Sequence, residues 1–322
     1  MKSFETFTDA YLAELRSVAQ EAEFTCSPRG QFIKENLCSS FKITNPRHRL
    51  PFISGRLYSP QYMAAECLWY LAGIRSVNWI APYAPFWTKI SDDGVNVNSA
   101  YGARIFKQAS ELGINHSQWE WVKQELTRDP DSRRAFIHIR LPHDSFHAKL
   151  DVPCTIGFQF FIRDSALHMW ASMRSSDLWL GLANDVPAFT LFQELMALEL
   201  GVKLGSYNHT GGSVHIYERD FDKVNIVLAN NSKQASISMP EMKSKPPLEK
   251  MLQAEQDLRS AASVSDVENV LSRASSEIDE YWFDFIVLIG AFWLRKNGLK
   301  QESYALIKEK CAWHGWAFES FR

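Results

Sequence analysis

The chain reads as an α+β protein, and three features carry that reading. Two segments carry apolar residues at every second position, an apolar helix pattern closes at a glycine, and the last quarter is helical in period. Residues 133–141 put Ile137, Ile139 and Leu141 on one face, and residues 154–162 do the same with Ile156, Phe158, Phe160 and Ile162. A period of two is the mark of a half-buried strand.

Taken in order, Phe7, Tyr11, Leu12, Leu15 and Val18 share one side of a helix over residues 7–22. Residues 25–60 are broken by Pro28, Gly30, Pro46, Pro51, Gly55 and Pro60, which predicts loops and short strands. A helix over 61–73 ends at Gly73, and the Pro- and aromatic-rich stretch from Trp79 to Trp87 predicts a loop or lid. Residues 166–173 and 213–217 carry weaker strand patterns. Pro187 at a first helical position and Gly201 just past the end frame a helix over 186–200 that is apolar nearly all round, hence buried. Asn230 to Pro247 is polar and reads as a linker or surface loop. Beyond it, helices are expected over 248–262, 265–273, 276–296 and 300–312. The chain thus divides into an N-terminal helix (1–24), a mixed α and β region (25–235) and a C-terminal helical extension (236–322).

Composition excludes several classes of function. The 322 residues are 46% hydrophobic and 22% charged, with a formal net charge of -2. No overall basic field exists to hold a nucleic-acid polymer, so a small anionic ligand fits better. The longest apolar run, Phe285 to Leu294, is shorter than the ~20 residues a bilayer requires. Met1 to Asp9 carries charges and no apolar core, unlike a signal peptide. The five cysteines are odd in number and irregularly spaced, with no CxxC pair. That argues against a metal site or disulfide framework and for a reduced, cytoplasmic setting.

Residues 151–217 concentrate the chemistry. Cys154, in Pro153-Cys154-Thr155, is either a small buried hydrophobe or a nucleophile. A turn near Arg163 to Ser165 would return the chain antiparallel and set Arg174 beside it, where positive charge favours a thiolate. Arg174 and Ser175 can clamp a phosphate through a planar guanidinium and a hydroxyl; Arg29 and the pair Arg133-Arg134 are further candidates. Neighbouring strand residues point to opposite faces, so Arg133 and Arg134 reach one phosphate only if the strand end twists or a second subunit presents them. Glu66, inside the apolar pattern Met63-Ala64-Ala65-Glu66-Cys67-Leu68, is a paired, a solvent-facing or an acid/base carboxylate. His215 and Tyr217, two apart on a strand, could share one ligand hydroxyl or be satisfied core groups. His143 and His147 read as surface histidines in a loop.

These residues, in this order, resemble the thymidylate synthase family. The resemblance runs from about Arg29 to Asp220. It rests on Arg29-Gly30, Glu66-Cys67-Leu68-Trp69-Tyr70-Leu71-Ala72-Gly73, Trp87, Tyr101-Gly102, Asp131-Ser132-Arg133-Arg134, Pro153-Cys154, Arg174-Ser175-Ser176-Asp177, Gly181-Leu182 and Gly212-Ser213-Val214-His215-Ile216-Tyr217. The resemblance implies a large twisted mixed sheet with flanking helices, residues 25–235 forming the catalytic domain. It implies that Cys154 adds to C6 of a pyrimidine nucleoside monophosphate and that C5 then takes a one-carbon unit from 5,10-methylenetetrahydrofolate. Glu66 would manage protons. Arg29, Arg174 and Ser175 would hold the 5′-phosphate, with Arg133 and Arg134 donated across a homodimer. His215 and Tyr217 would hold the 3′-hydroxyl, while Asp177, Trp87 and Glu66 would face the folate.

Departures from the family pattern refine the expectation. Asp185 stands where synthases that use uracil carry asparagine. A carboxylate accepts both the N4 amino hydrogen of cytosine and the N3 proton gained as C6 is attacked, whereas it would oppose O4 of uracil. Such mismatched polar groups are rejected by roughly 10⁴-fold or more. Asp185 could instead cap the following helix, although Asn184 could also serve. Thr155 and Ser213 replace a usual histidine and aspartate, and both choices resemble the deoxycytidylate hydroxymethylase branch, in which water completes the transfer. Ser175 near the sugar leaves little room for a 2′-hydroxyl, which favours dCMP over CMP. The alternatives are C5-methylation of dCMP or dUMP, and a catalytically silent nucleotide-binding regulator. The synthase C-terminus that closes over folate is not recognisable; a helical extension follows instead and either replaces that closure or covers a different face.

Overall fold

The computed structural model describes residues 1–51, 53–56, 58–107, 116–147, 150–230 and 238–312. In chain order the elements are β1 (Lys2–Phe4), α1 (Phe7–Glu21), β2 (Phe24–Cys26), β3 (Ile33–Ile43), α2 (Pro60–Ala72), α3 (Val77–Ile80), α4 (Phe86–Ile90), α5 (Tyr101–Phe106) and α6 (Gln118–Arg128). There follow β4 (Phe136–His138), α7 (Asp144–His147), β5 (Thr155–Arg163), β6 (Ala166–Asp177), α8 (Leu182–Leu200), β7 (Lys203–Tyr217) and α9 (Phe221–Ala229). Four helices end the described chain: α10 (Leu248–Ser260), α11 (Val264–Glu277), α12 (Glu280–Lys296) and α13 (Lys300–Lys310). The backbone groups into two units, Met1–Arg56 with Gln108–Met239, and Leu57–Lys107 with Pro240–Arg322. This grouping differs from the three consecutive segments expected from the sequence. The N-terminal helix joins the sheet, and the region around α2 joins the C-terminal helices.

The first unit is built on the expected mixed sheet, with strand order β1-β3-β7-β6-β5-β4 and β2 paired to β3. β5 and β6 form a hairpin closed by Asp164 and Ser165, both in the left-handed region (φ 52° and 57°), which a two-residue turn matched to strand twist requires. β6 and β7 are parallel, so a crossover must join them, and α8 supplies it. Phe189 and Phe192 of α8 are fully buried, and Phe189 meets Phe158 of β5 edge-on at 4.6 Å. α8 starts at Leu182, four residues before the predicted start, so Pro187 lies inside the helix. Its missing N–H leaves the Ala183 carbonyl without the usual helical donor. Gly201 ends α8 in the left-handed conformation, its amide bonded to Ala197 and Leu198 carbonyls. Glu194 of α8 is buried between Arg47, at 2.7 Å, and the fully buried Arg49.

The second unit centres on α2 and α12, each apolar around most of its circumference. α2 is capped by Ser59 and Pro60 at its start and by left-handed Gly73 at its end. Gly102 of α5 lies against α2 so closely that a Cβ there would fall 1.9 Å from the Tyr70 carbonyl oxygen. Around Tyr83, Glu255 accepts from the phenol and from Arg259 at 2.5 Å each, and Trp293 Nε1 donates to the phenol at 3.0 Å.

Several expectations need correction. β3 is an eleven-residue strand where loops and short strands were expected; its run Lys34 to Ser40 is rich in polar residues, and Cys38 takes a left-handed φ of 53° within it. The strand expected over 133–141 shrinks to Phe136–His138. β6 and β7 are longer than their apolar patterns because their ends carry polar site residues. The stretch 79–87 meets the short helices α3 and α4 rather than forming one loop, and Asp144–His147 forms a helical turn. Residues 231–237 of the expected linker lie outside the described residues. Among the described residues no helix is long and apolar enough to cross a membrane.

Candidate active site

Four strands of the first unit bring their site residues to one end of the sheet. β5 starts directly after Cys154, β6 and β7 finish at Asp177 and Tyr217, and β3 starts at Ile33 opposite Tyr217. Arg29 sits just before β3 in a turn over Pro28–Gly30, itself left-handed at φ 52°.

The β5–β6 hairpin sets Arg174 beside Cys154 as the sequence predicts. The Arg174 amide donates to the Cys154 carbonyl at 2.9 Å. Its guanidinium donates to the carbonyls of Pro153 (2.9 Å) and Val152 (2.8 Å), and Nη2 lies 3.7 Å from Sγ. The expected acidification of the thiol does not prevail. Burial pushes the Cys154 pKa up; Arg174 and, more weakly, Arg29 oppose this, while Asp185 and Asp151 add to it. The free protein therefore holds the sulfur as a thiol, poised for a partner that offsets the negative charge.

Asp185 lies in the first turn of α8, close enough for its charge to act on Cys154 and on buried Tyr207. It is not a cap. Gly181 holds that position with no side-chain bond, and the Asp185 amide donates to its carbonyl at 2.9 Å. The absent side chain of Gly181 leaves room for the carboxylate, whose Oδ2 lies 3.4 Å from where a Cβ would stand. Asn184 is not the cap either; its side chain donates to the Leu180 carbonyl.

β6 and β7 align Ser175 with Ser213 and Asp177 with His215. His215 and Tyr217 meet edge-on at 5.0 Å, as two residues on one strand face should. Asp177 Oδ1 accepts from the amides of Trp179 (2.8 Å) and Leu180 (3.3 Å), which shapes the turn into α8. Burial holds His215 below the usual histidine range, with Asp177 pulling the other way. Sequence reasoning missed Arg219, which stacks on Tyr217 at 3.9 Å and lies 3.9 Å from Asp177 Oδ2. It also missed Asp151, and Glu35, which accepts from Ser213. Glu35 carried no signal, because a glutamate in a polar strand looks like a solvated face.

Arg133 and Arg134 are not brought to this end within one chain. They line a cleft of about 420 Å³ with Asp129, Asp131 and Ser132. The adjoining Ala135 carbonyl accepts from the Phe160 amide, and Asp131 accepts from Arg163. Phe160 lies six residues along β5 from Cys154, or about 20 Å at ~3.3 Å per residue.

Glu66 and Trp87 belong to the second unit. Glu66 is 5% exposed. Tyr62 donates to it at 2.6 Å and Tyr70 at 3.4 Å, and Trp87 Nε1 donates to the Tyr62 hydroxyl at 3.2 Å. Burial raises the carboxyl to about 7 against the pull of both phenols. His143 is exposed beside Asp144, at 3.6 Å; the side chain of His147 lies outside the described residues.

Comparison with known proteins follows the same lines. A family model described as thymidylate synthase matches residues 9–259. The deoxyuridylate hydroxymethyltransferase of Bacillus phage SP01 is 33% identical over 222 residues, 66% of this chain and 58% of that protein. That of Delftia phage PhiW-14 is 31% identical over 204 residues, 58% of this chain and 54% of that protein. The chain thus spans little more than half the length of these relatives. Among solved structures, a thermostable thymidylate synthase A from Bacillus subtilis aligns with a TM-score of 0.60 and 21% identity, covering 74% of this chain and 90% of that one.

Proposed function

Since this chain belongs to the thymidylate synthase family, we propose that it 5-hydroxymethylates a cytosine nucleoside monophosphate, dCMP in preference to CMP, with 5,10-methylenetetrahydrofolate as co-substrate and water as the second reactant. The observation that carries the cytosine reading is the position of Asp185. Its carboxylate stands within electrostatic reach of the Cys154 sulfur and caps no helix. A ring attacked at C6 by that sulfur would turn its N3–N4 edge to an acceptor. The amino group and the proton gained at N3 match two carboxylate oxygens, and that positive charge would offset the part of the thiol's raised pKa that Asp185 adds to burial.

The remaining roles belong to the same reading. Sγ of Cys154, its proton released to solvent, forms a bond to C6, and the displaced π electrons reach C5. C5 then bonds the transferred carbon and loses its proton. Loss of tetrahydrofolate leaves an exocyclic methylene, water adds to it, and the sulfur departs as the ring double bond is restored. Arg174, Ser175 and Arg29 bind the 5′-phosphate; Arg174 has guanidinium N–H groups left after meeting the two carbonyls. His215 and Tyr217 bind the sugar. Glu66, raised to about 7, both accepts and returns a proton at neutral pH. The folate supplies the one-carbon unit. Asp177 would meet its amino-heterocycle; backbone amides hold one carboxylate oxygen, and the other lies 3.9 Å from Arg219. Trp87 offers a flat apolar ring. Arg133 and Arg134, far from Cys154 along the sheet, would serve a phosphate in a second copy of the chain, which makes the active form a homodimer.

A second reading is favoured by the names of the two phage relatives, both deoxyuridylate hydroxymethyltransferases. The same machinery would then act on dUMP. Turnover of dCMP, CMP and dUMP with methylenetetrahydrofolate, read by product mass, separates the readings. The expected product is dCMP plus CH₂O, with tetrahydrofolate released. A methyl product with dihydrofolate, or faster turnover of dUMP than of dCMP, overturns the proposal.

A further inference from the structure

Glu35, Ser213 and His215 form a chain of contacts that no step above uses. Glu35 faces His215 in the β3–β7 register, and Ser213 precedes His215 by two residues on the same strand face. Ser213 Oγ donates to Glu35 Oε2 at 2.5 Å and lies 3.3 Å from His215 Nδ1. The Ser213 carbonyl oxygen lies 3.4 Å from the same nitrogen. The other oxygen of Glu35 accepts from the Cys26 thiol at 3.2 Å.

A serine hydroxyl has one proton to give. With that proton on Glu35, Oγ can only accept toward the ring, and a carbonyl oxygen only ever accepts. Two acceptors then face Nδ1, so Nδ1 carries the N–H of the neutral imidazole and Nε2 is left with a lone pair. We propose that Glu35 is a positioning residue that acts through Ser213 to fix the His215 tautomer, so that Nε2 accepts a hydrogen bond from a ligand hydroxyl. The charged groups around the ring are Asp177, Glu35 and Arg219. Asp177 Oδ1 is already taken by two backbone amides. His215 is 3% exposed, so the ring has little water to exchange tautomers through.

The identity of the hydroxyl, the sugar 3′-OH, rests on the nucleotide reading above; the tautomer does not. Long-range proton–nitrogen NMR of the free, ¹⁵N-histidine-labelled protein reads the tautomer directly. The parent shows the Nδ1–H form. Glu35→Gln offers an amide N–H to Ser213, reverses the hydroxyl and raises the Nε2–H share. The same substitution raises KM for the 3′-hydroxylated nucleotide about tenfold, the worth of one hydrogen bond, and changes kcat less than about twofold. KM for the 3′-deoxy analogue stays the same. In a Ser213→Ala background Glu35→Gln has no effect on the ring, because the link is gone. An Nε2–H parent, a ring unmoved by Glu35→Gln, or an equal change with and without the Ser213 hydroxyl overturns the proposal. If the tautomer responds as stated but the parent binds 3′-deoxy and 3′-hydroxyl nucleotides alike, the relay is supported and the sugar reading of the site fails.

Discussion

Arg174 grips the Cys154 segment at three points, its amide on the Cys154 carbonyl at 2.9 Å and its guanidinium on the carbonyls of Pro153 and Val152, while Nη2 stands 3.7 Å from the sulfur. The arginine therefore positions the sulfur-bearing loop chiefly through backbone groups and meets the sulfur itself only by one long N–H···S contact.

That separation predicts the behaviour of Cys154→Ala. Turnover is lost, yet nucleotide affinity stays within about tenfold, because the proposed anion clamp does not use the sulfur. Calorimetric titration with dCMP checks it; loss of binding would show that the sulfur holds the clamp together.

Asp185→Asn shifts preference from cytosine toward uracil by about 3 kcal/mol, as a carboxylate that accepts twice becomes an amide that donates once. The ratio of kcat/KM for dCMP and dUMP measures this, and an unchanged ratio rejects the role. The substitution also lowers the Cys154 pKa, since Asp185 is one of the charges that raise it. Alkylation by iodoacetamide at fixed pH becomes faster, a result independent of substrate.

Glu66 makes stability depend on pH. The carboxyl titrates near 4.5 when unfolded and near 7 when folded. Between these values the folded protein keeps a proton that the unfolded chain has released, so the Glu66 contribution to stability is greatest below 4.5, falls as pH rises, and levels off above 7. The Glu66 share of that loss is about 3 kcal/mol. Urea unfolding at pH 5 and pH 8 shows the fall in the parent and a smaller one in Glu66→Gln; equal falls would refute it.

Gly102→Ala is destabilising by about 3 kcal/mol, because its methyl group would press into the backbone carbonyl of Tyr70, which cannot swing aside as a side chain can. The urea midpoint reads the effect. A shift worth less than about 0.5 kcal/mol would mean that α5 moves away from α2 freely.

Much of this protein is legible without coordinates. The alternation of Ile156, Phe158, Phe160 and Ile162 gave β5, and the turn after it correctly returned Arg174 to Cys154. Glycines at 73 and 201 marked two helix ends because only a residue without Cβ adopts a left-handed backbone at little cost. Pro187 misled, since the helix starts earlier and accepts a proline within its buried first turns. β3 was hidden because polar residues occupy much of the strand, among them Glu35, which accepts from Ser213.

The linear order of residues thus determined the elements with strong periodicity, the family, and the kinds of groups gathered at the site. Tertiary structure alone decided how those groups are tuned. Burial outweighs Arg174 and keeps Cys154 protonated, the register places Arg133 and Arg134 at the far end of β5, and Asp185 is released from capping by an α8 that begins at Leu182. The physical reason is that desolvation, charge–charge distance and proton direction depend on neighbours remote in sequence, which local periodicity does not encode.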